Sequence, residues 1–275
     1  MDPVSWLEAL PSYALVGILM VLPGALLSVA LGLRGLARSA AVIPLSVAGF
    51  SASAVIFGLA GVPWNPLTVA LAFVVVALVL WLALLPARRR LMAGPWVGAT
   101  PWRERITTSL VGLWCAAALG IGIVVQRLHL IMQTPDAYSQ TYDANFHYNA
   151  VRYIQETGQA SSLTLGGLGV VEPTFYPAAW HDTAAFVTQV TGLPVVLTGN
   201  AMTMMISGVV WVLGCLYFTT RLLGSRPTVS VAAGLMASSF PAFPYLLSFY
   251  GNLFPNAMSI AFLPVWLGLL TDALG

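Results

Sequence analysis

The sequence predicts an all-α protein that crosses a membrane about seven times, and three observations carry that prediction. Of its 275 residues 59 % are hydrophobic and only 7 % are charged, whereas soluble domains carry roughly 25 % charged residues. Apolar runs of about 20 residues, the length a helix needs to cross a bilayer, recur at 11–33, 40–60, 67–87, 107–126, 195–220, 228–246 and 256–274. The charges between the runs alternate in sign. There is no lysine; Arg34 and Arg38 follow the first run, Arg88, Arg89, Arg90, Arg103 and Arg105 the third, and Arg221 and Arg226 the fifth. Positive charge gathers in cytoplasmic connectors, so these lie inside, with Arg127 and Arg152 outside. Asp2, Glu8 and the five acids between 127 and 182 fall outside as well, and only Glu104 and Asp272 fall inside.

The first run is expected to stay as a helix. Acids rather than bases precede it, and it is too long for the core of a cleaved signal. Prolines and glycines inside the runs (Pro23, Gly24, Pro44, Gly112, Gly120, Pro264) are tolerated in packed membrane helices. Cys115 and Cys215 fall mid-span, where thiols behave as small hydrophobes. Residues 1–105 form a three-span unit that closes with a basic cytoplasmic linker containing Pro86, Gly94, Pro95 and Pro101; residues 106–275 form the second unit. The last span runs out at 271–275 without a polar tail, which points to a C-terminally incomplete chain. Lysine avoidance with abundant Ala, Val, Leu and Gly suggests a high-GC bacterium, hence a multi-pass protein of its cytoplasmic membrane. The net charge of +2 follows from topology and forms no nucleic-acid patch.

The chemistry is concentrated in one extracytoplasmic loop, 127–182, which holds His129, His147 and His181 together with Asp136, Asp143, Glu156, Glu172 and Asp182. Two amphipathic helices are expected inside it. The first runs from Asp143 to Thr157 and stops at Gly158, with Phe146, Ala150, Val151, Tyr153 and Ile154 on its apolar side and Asn145, Asn149, Arg152, Gln155 and Glu156 opposite. Asp143 and His147, one turn apart, fall on the apolar side, where ionisable groups need partners. The second helix begins at Pro177, a favoured first-turn residue, and runs to Thr191. Trp180, Ala184, Val187 and Val190 make its apolar side and His181, Asp182, Thr188 and Gln189 its polar one, as in a helix lying at the membrane interface. Between them 160–174, rich in Gly, Ser and Thr, reads as mobile. A second extracytoplasmic interruption, with Tyr245, Ser248, Tyr250, Gly251, Asn252 and Asn256, is placed to form the far wall of the same cleft.

By position Asp143 caps its helix, and by chemistry it is a candidate general base toward a hydroxyl or a ligand for a divalent cation. His147 is a candidate proton relay or sugar contact and equally a structural histidine. Arg152 suits a phosphate or a surface pair with Glu156. Glu172, Tyr176, His181, Asp182 and Asn252 complete the candidate substrate-binding set. His181 and Asp182 open the second helix, where its dipole favours the carboxylate.

These residues resemble a known group. Asp143-Ala-Asn-Phe146-His147-Tyr148, continuing to Arg152-Tyr153-Ile154 and Thr157-Gly158, is similar to the first extracytoplasmic loop of GT-C membrane glycosyltransferases, in particular to the D-x-x-F-x-Y stretch of oligosaccharyltransferase catalytic subunits. Phe175-Tyr176-Pro177-Ala-Ala-Trp180-His181 resembles the segment leading into the second core helix of such enzymes. Thr191-Gly192 and the span ending Arg221-Leu-Leu-Gly224 fit the same pattern. The likeness covers about 106–275. It implies transfer of a sugar from a polyprenyl-phosphate donor to a cell-envelope glycan or lipid acceptor, with Asp143 as the base. The chain departs from the family in its three extra spans and its early stop, so that a missing C-terminal half or a partner subunit is implied. The second interruption has no D-x-D pair, so no cofactor is expected and a divalent cation is the disfavoured alternative. From other function classes come a transporter or flippase for a lipid-linked intermediate, and a non-catalytic assembly subunit. Nearly charge-free spans weigh against transport.

Overall fold

The computed structural model describes residues 4–86, 108–139 and 142–274. It is a helical bundle with seven helices long and apolar enough to cross a membrane, and the chain is a multi-pass membrane protein. Helix α1 spans Trp6–Leu31, α2 Gly35–Ala60, α3 Pro66–Ala83 and α4 Thr108–Met132. Two shorter helices follow, α5 (Tyr142–Thr157) and α6 (Ala179–Thr191). The fifth span is α7 (Val195–Met204), a wide π-helical stretch (Met205–Val210) and α8 (Trp211–Leu223). The sixth is α9 (Pro227–Ala237) and the stretch Pro241–Tyr250, broken at Phe243 where the backbone turns extended (φ −131°, ψ 131°); the seventh is α10 (Phe254–Leu274). Among the described residues there is no strand beyond a single bridge between Leu165 and Thr174.

The expected spans correspond one for one, with edges moved by a few residues. The largest shift is in α4. It continues to Met132, so Arg127 and His129 belong to the fourth span and not to the loop. The linker carrying Arg88, Arg89, Arg90, Arg103 and Arg105, and with it the boundary between 1–105 and 106–275, lies outside the described residues, as does Asp2.

Helix ends are set by local chemistry. Ser5 and Glu8 close a reciprocal capping box at the start of α1, and Asn65 accepts from the Leu67 and Thr68 amides ahead of Pro66. Gly32, Gly61 and Gly192 end α1, α2 and α6 in the left-handed region. Small residues let the spans approach closely. Gly24 of α1 lies against the backbone of α2, its amide donating to Ser46 Oγ at 2.7 Å. Gly234 of α9 packs on the Ala116 carbonyl of α4 in the same way.

Side-chain bonds show which span ends meet. Trp6 Nε1 donates to the Gln133 carbonyl and Tyr13 to that of Pro135, so the start of α1 joins the end of α4. The amide of Trp64, between α2 and α3, donates to the Gly158 carbonyl at the end of α5. Ser139 donates to the Phe249 carbonyl at the end of the sixth span. All of these, with α5 and α6, lie at one end of the bundle, called here the loop end. Arg34, Arg38, Arg221 and Arg226 mark the other end, where Arg221 pairs with Asp272 at 2.8 Å and Tyr217 donates to the same carboxylate. One hydrophobic core runs from α1 to α10, and α2 packs on both α6 and α8.

Candidate active site

Helix α5 buries Ala144, His147, Tyr148, Ala150, Val151 and Ile154 and exposes Asn145, Asn149, Arg152 and Glu156. This is the expected amphipathic split, and Gly158 (φ 68°) ends the helix. Asp143 departs from it. Its side chain is exposed, because it sits on the flank of the buried stripe in the first turn, where the stripe runs out at the edge of the bundle. His147, one turn further, is enclosed.

Helix α6 departs more. It starts at Ala179 rather than Pro177, and every residue from Trp180 to Thr188 is buried. The polar stripe expected to face water is covered from two sides. Thr188 receives Gln155 of α5 at 2.7 Å and His181 meets His147, while Phe186, on the side of Asp182, packs on Phe50 of α2 with ring centroids 4.6 Å apart. Trp180 stacks flat on Phe254 at 4.4 Å. A helix covered on every side is part of the core, not an interfacial helix.

His147 is the hub. Its Nδ1 lies 2.9 Å from His181 Nε2 and its Nε2 2.9 Å from the Asn252 carbonyl oxygen. A carbonyl only accepts, so His147 donates from Nε2. In the neutral ring Nδ1 then accepts, and His181 donates to it from its own Nε2. Asn252, in the left-handed region at φ 46°, turns its backbone toward His147 and spans from its side-chain amide to Ser139 Oγ. Burial pushes His147 below the ordinary histidine range, opposed by the Asn252 carbonyl and the nearby Asp143 carboxylate. Burial and the neighbouring His147 push His181 down to about 3. Both rings are therefore neutral at physiological pH, and the pair forms a buried hydrogen-bonded chain that ends on a carbonyl.

Aromatic rings surround the pair. Phe146 and Tyr176 approach to 4.6 Å, and Tyr176 stands 5.6 Å from His181 and 6.4 Å from His147. Burial, aided by the Asp143 carboxylate, raises the Tyr176 hydroxyl above its usual value. The Asp143 charge is thus within electrostatic reach of both His147 and Tyr176.

Asp182 is fully buried and neither carboxylate oxygen has a hydrogen-bond partner. Burial holds its carboxyl well above the ordinary range, favouring the protonated form. It lies in the first turn of α6, as expected, but enclosed in the core. Arg152 is held by Glu156 at 2.6 Å on an exposed face. Glu172 is exposed among exposed residues 170–175. The segment expected to be mobile is tied down, with Gly166 donating to the Thr174 carbonyl and Tyr176 to that of Ser162. Of the candidate set, the structure brings together Asp143, His147, Tyr176, His181 and the Asn252 backbone, and leaves Arg152, Glu172 and Asp182 apart.

Four participants escaped the sequence. Ser139 belongs to an irregular stretch and contacts the site only through folding. Trp180 and Phe254 form the floor from helices far apart in sequence. Arg127, five residues before the end of α4, lays its guanidinium 5.4 Å from the Tyr245 ring centroid; with its helix drawn too short, it read as a loop residue. Among the described residues, no three His, Cys, Asp or Glu side chains converge as metal ligands.

The profile of a family of unknown function, DUF6541, matches residues 17–275. The chain belongs to that family. No curated protein and no solved structure matches it. In this DUF6541 chain the matched region takes in nearly all of the three-span unit as well as the loop and later spans.

The two buried titratable elements oppose each other in pH. An unfolded histidine gains a proton below about 6.5 that folded His181 refuses, so stability falls as pH drops below that value. An unfolded Asp182 releases its proton above about 3.8 while the folded one keeps it, so stability falls as pH rises beyond that value. Asp182→Asn should remove the second limb: in thermal unfolding of detergent-solubilised protein from pH 4 to 9, the variant gains on the wild type steadily as pH rises. A difference that does not change with pH means the buried carboxyl is not the source.

Proposed function

We propose that the chain is a membrane glycosyltransferase of the GT-C kind, working on the extracytoplasmic side with Asp143 as general base. The observation that carries the reading is the placement of Asp143: an exposed carboxylate at the loop end, one turn above the neutral His147–His181 pair and beside Tyr176. Exposed aromatic side chains stand near it in the chain and across the loop end, Tyr142, Phe175 and Tyr250 among them, and rings of this kind give a sugar apolar faces to stack on. The resemblance of 142–181 to the first loop of such enzymes supports the same reading, and the arginine bias supports the orientation.

In this mechanism the acceptor hydroxyl gives its proton to the Asp143 carboxylate while its oxygen attacks the anomeric carbon of the donor. The bond from that carbon to the phosphate oxygen breaks, and polyprenyl phosphate leaves. Arg127, exposed and resting on Tyr245 near the loop end of its span, is a cation placed to meet the departing phosphate at the membrane boundary. His147, braced from both sides, positions the start of α5.

The test is direct. Purified protein in liposomes is supplied with a polyprenyl-phosphate sugar and a cell-envelope glycan extract, and release of polyprenyl phosphate is followed. Release that depends on the glycan supports the transferase. Movement of the donor across the bilayer with no release would favour a flippase, and stable binding with neither would favour an assembly subunit.

A further inference from the structure

Away from Asp143, at the far end of α5, the structure holds two neighbouring cavities. One, of about 370 Å³, opens where the last turn of α2 and the Gly61–Pro63 connector face residues 157–164. Its polar lining is Thr157, Gln159, Ser161 and Thr164, with no charged side chain. The other, of about 490 Å³, is a groove running along α2 and α3, lined almost wholly by apolar groups such as Leu27, Ala52, Ile56, Leu71 and Val75. Phe57 and Val62 line both. Both volumes are in the range of ligand sites, about 300–1,000 Å³.

Their placement gives them opposite surroundings. The groove lies between spans, where the solvent is hydrocarbon, and the polar cavity lies at the loop end, beyond the last residue of α2 and before the first of α3. A polar chamber next to an apolar groove, with Phe57 and Val62 in the lining of both, offers the head and the chain of one amphiphile adjacent seats. The chamber's chemistry selects the head. The Thr157 and Thr164 hydroxyls donate to the Tyr153 and Ser161 carbonyls and keep lone pairs to accept with. Gln159 accepts from Tyr153 through Oε1, leaving its –NH₂ without a partner among the described residues, so the chamber offers both acceptors and a donor, as a polyol requires. A phosphate buried there would meet no cation, which is costly.

We propose that these neighbouring cavities bind one membrane lipid with an uncharged, hydroxyl-rich head, the head held by residues 157–164 and an apolar chain laid along α2 and α3. The site does not depend on the role of Asp143.

The full chain in phosphatidylcholine nanodiscs doped equally with monoglucosyl diacylglycerol and phosphatidylglycerol provides the test, with protein-bound lipid counted by native mass spectrometry. The glucosyl lipid should be retained at least 10-fold over phosphatidylglycerol. Thr164→Val combined with Gln159→Leu removes the head contacts, and Ala52→Trp, at an exposed position, fills the groove. Each should lower that retention by about 10-fold, as loss of one or two hydrogen bonds or of the chain's seat implies, while leaving phosphatidylglycerol unchanged. Equal retention of the two lipids, a preference for phosphatidylglycerol, indifference to both variants, or displacement by free glucose at millimolar concentration would each overturn the proposal.

Discussion

Asp143→Asn should lower sugar transfer by about 10²–10⁴-fold, the contribution of a well-placed general base, with little change in the amount of folded protein. Asparagine keeps the size of aspartate and its hydrogen-bonding capacity at a helix start, and the side chain is exposed, so structure and chemistry are separated in one variant. Initial rates of polyprenyl-phosphate release in liposomes, normalised to protein by size-exclusion profile, measure it. Asp143→Glu should recover part of the rate, because the carboxylate survives one methylene further out. Transfer within threefold of the wild type for Asp143→Asn would move the base elsewhere and remove the centre of the mechanism.

Gly24→Val carries the other large effect, and it acts on the fold. A Cβ on Gly24 would stand 1.7 Å from the Val42 carbonyl oxygen and 2.7 Å from Ser46 Oγ. The obstacle is backbone, so no side-chain rotation relieves it, and α1 and α2 must part. Overpacking typically costs 1–3 kcal/mol; with backbone against backbone and the bond from the Gly24 amide to Ser46 at risk, about 3 kcal/mol or more is expected. Thermal unfolding in detergent should show a loss of melting temperature or no folded protein. Gly122→Ala, at a glycine on α4 with nothing within 4 Å of the added carbon, should leave it unchanged.

The spans were legible because crossing a bilayer imposes a length and a polarity on each helix separately, and both are properties of contiguous residues. Helix α5 was legible for the same reason: its stripe of Ala150, Val151 and Ile154 and its stop at Gly158 are local. What escaped was tertiary. His181 and Asp182 lie on the polar stripe of α6, and nothing local says that α5 and α2 will cover it; the partners sit at Gln155, His147 and Phe50. Asn252 was chosen for its side chain, yet it meets His147 through a backbone carbonyl, which no residue type announces. Asp143 was placed on the inner face by helical spacing alone, and spacing is silent on where the covering layer ends.

The irregular stretch after α4 has a consequence for how the molecule is made. Gln133, Pro135 and Ala137 offer carbonyls that are taken by Trp6 and Tyr13 from the earliest part of the chain and by Asn200, whose amide donates to both Pro135 and Ala137. During synthesis the first two donors emerge long before their acceptors, and the third emerges long after. The full set of these bonds can therefore close only once the fifth span has been made, so the loop end of the bundle is completed late in synthesis.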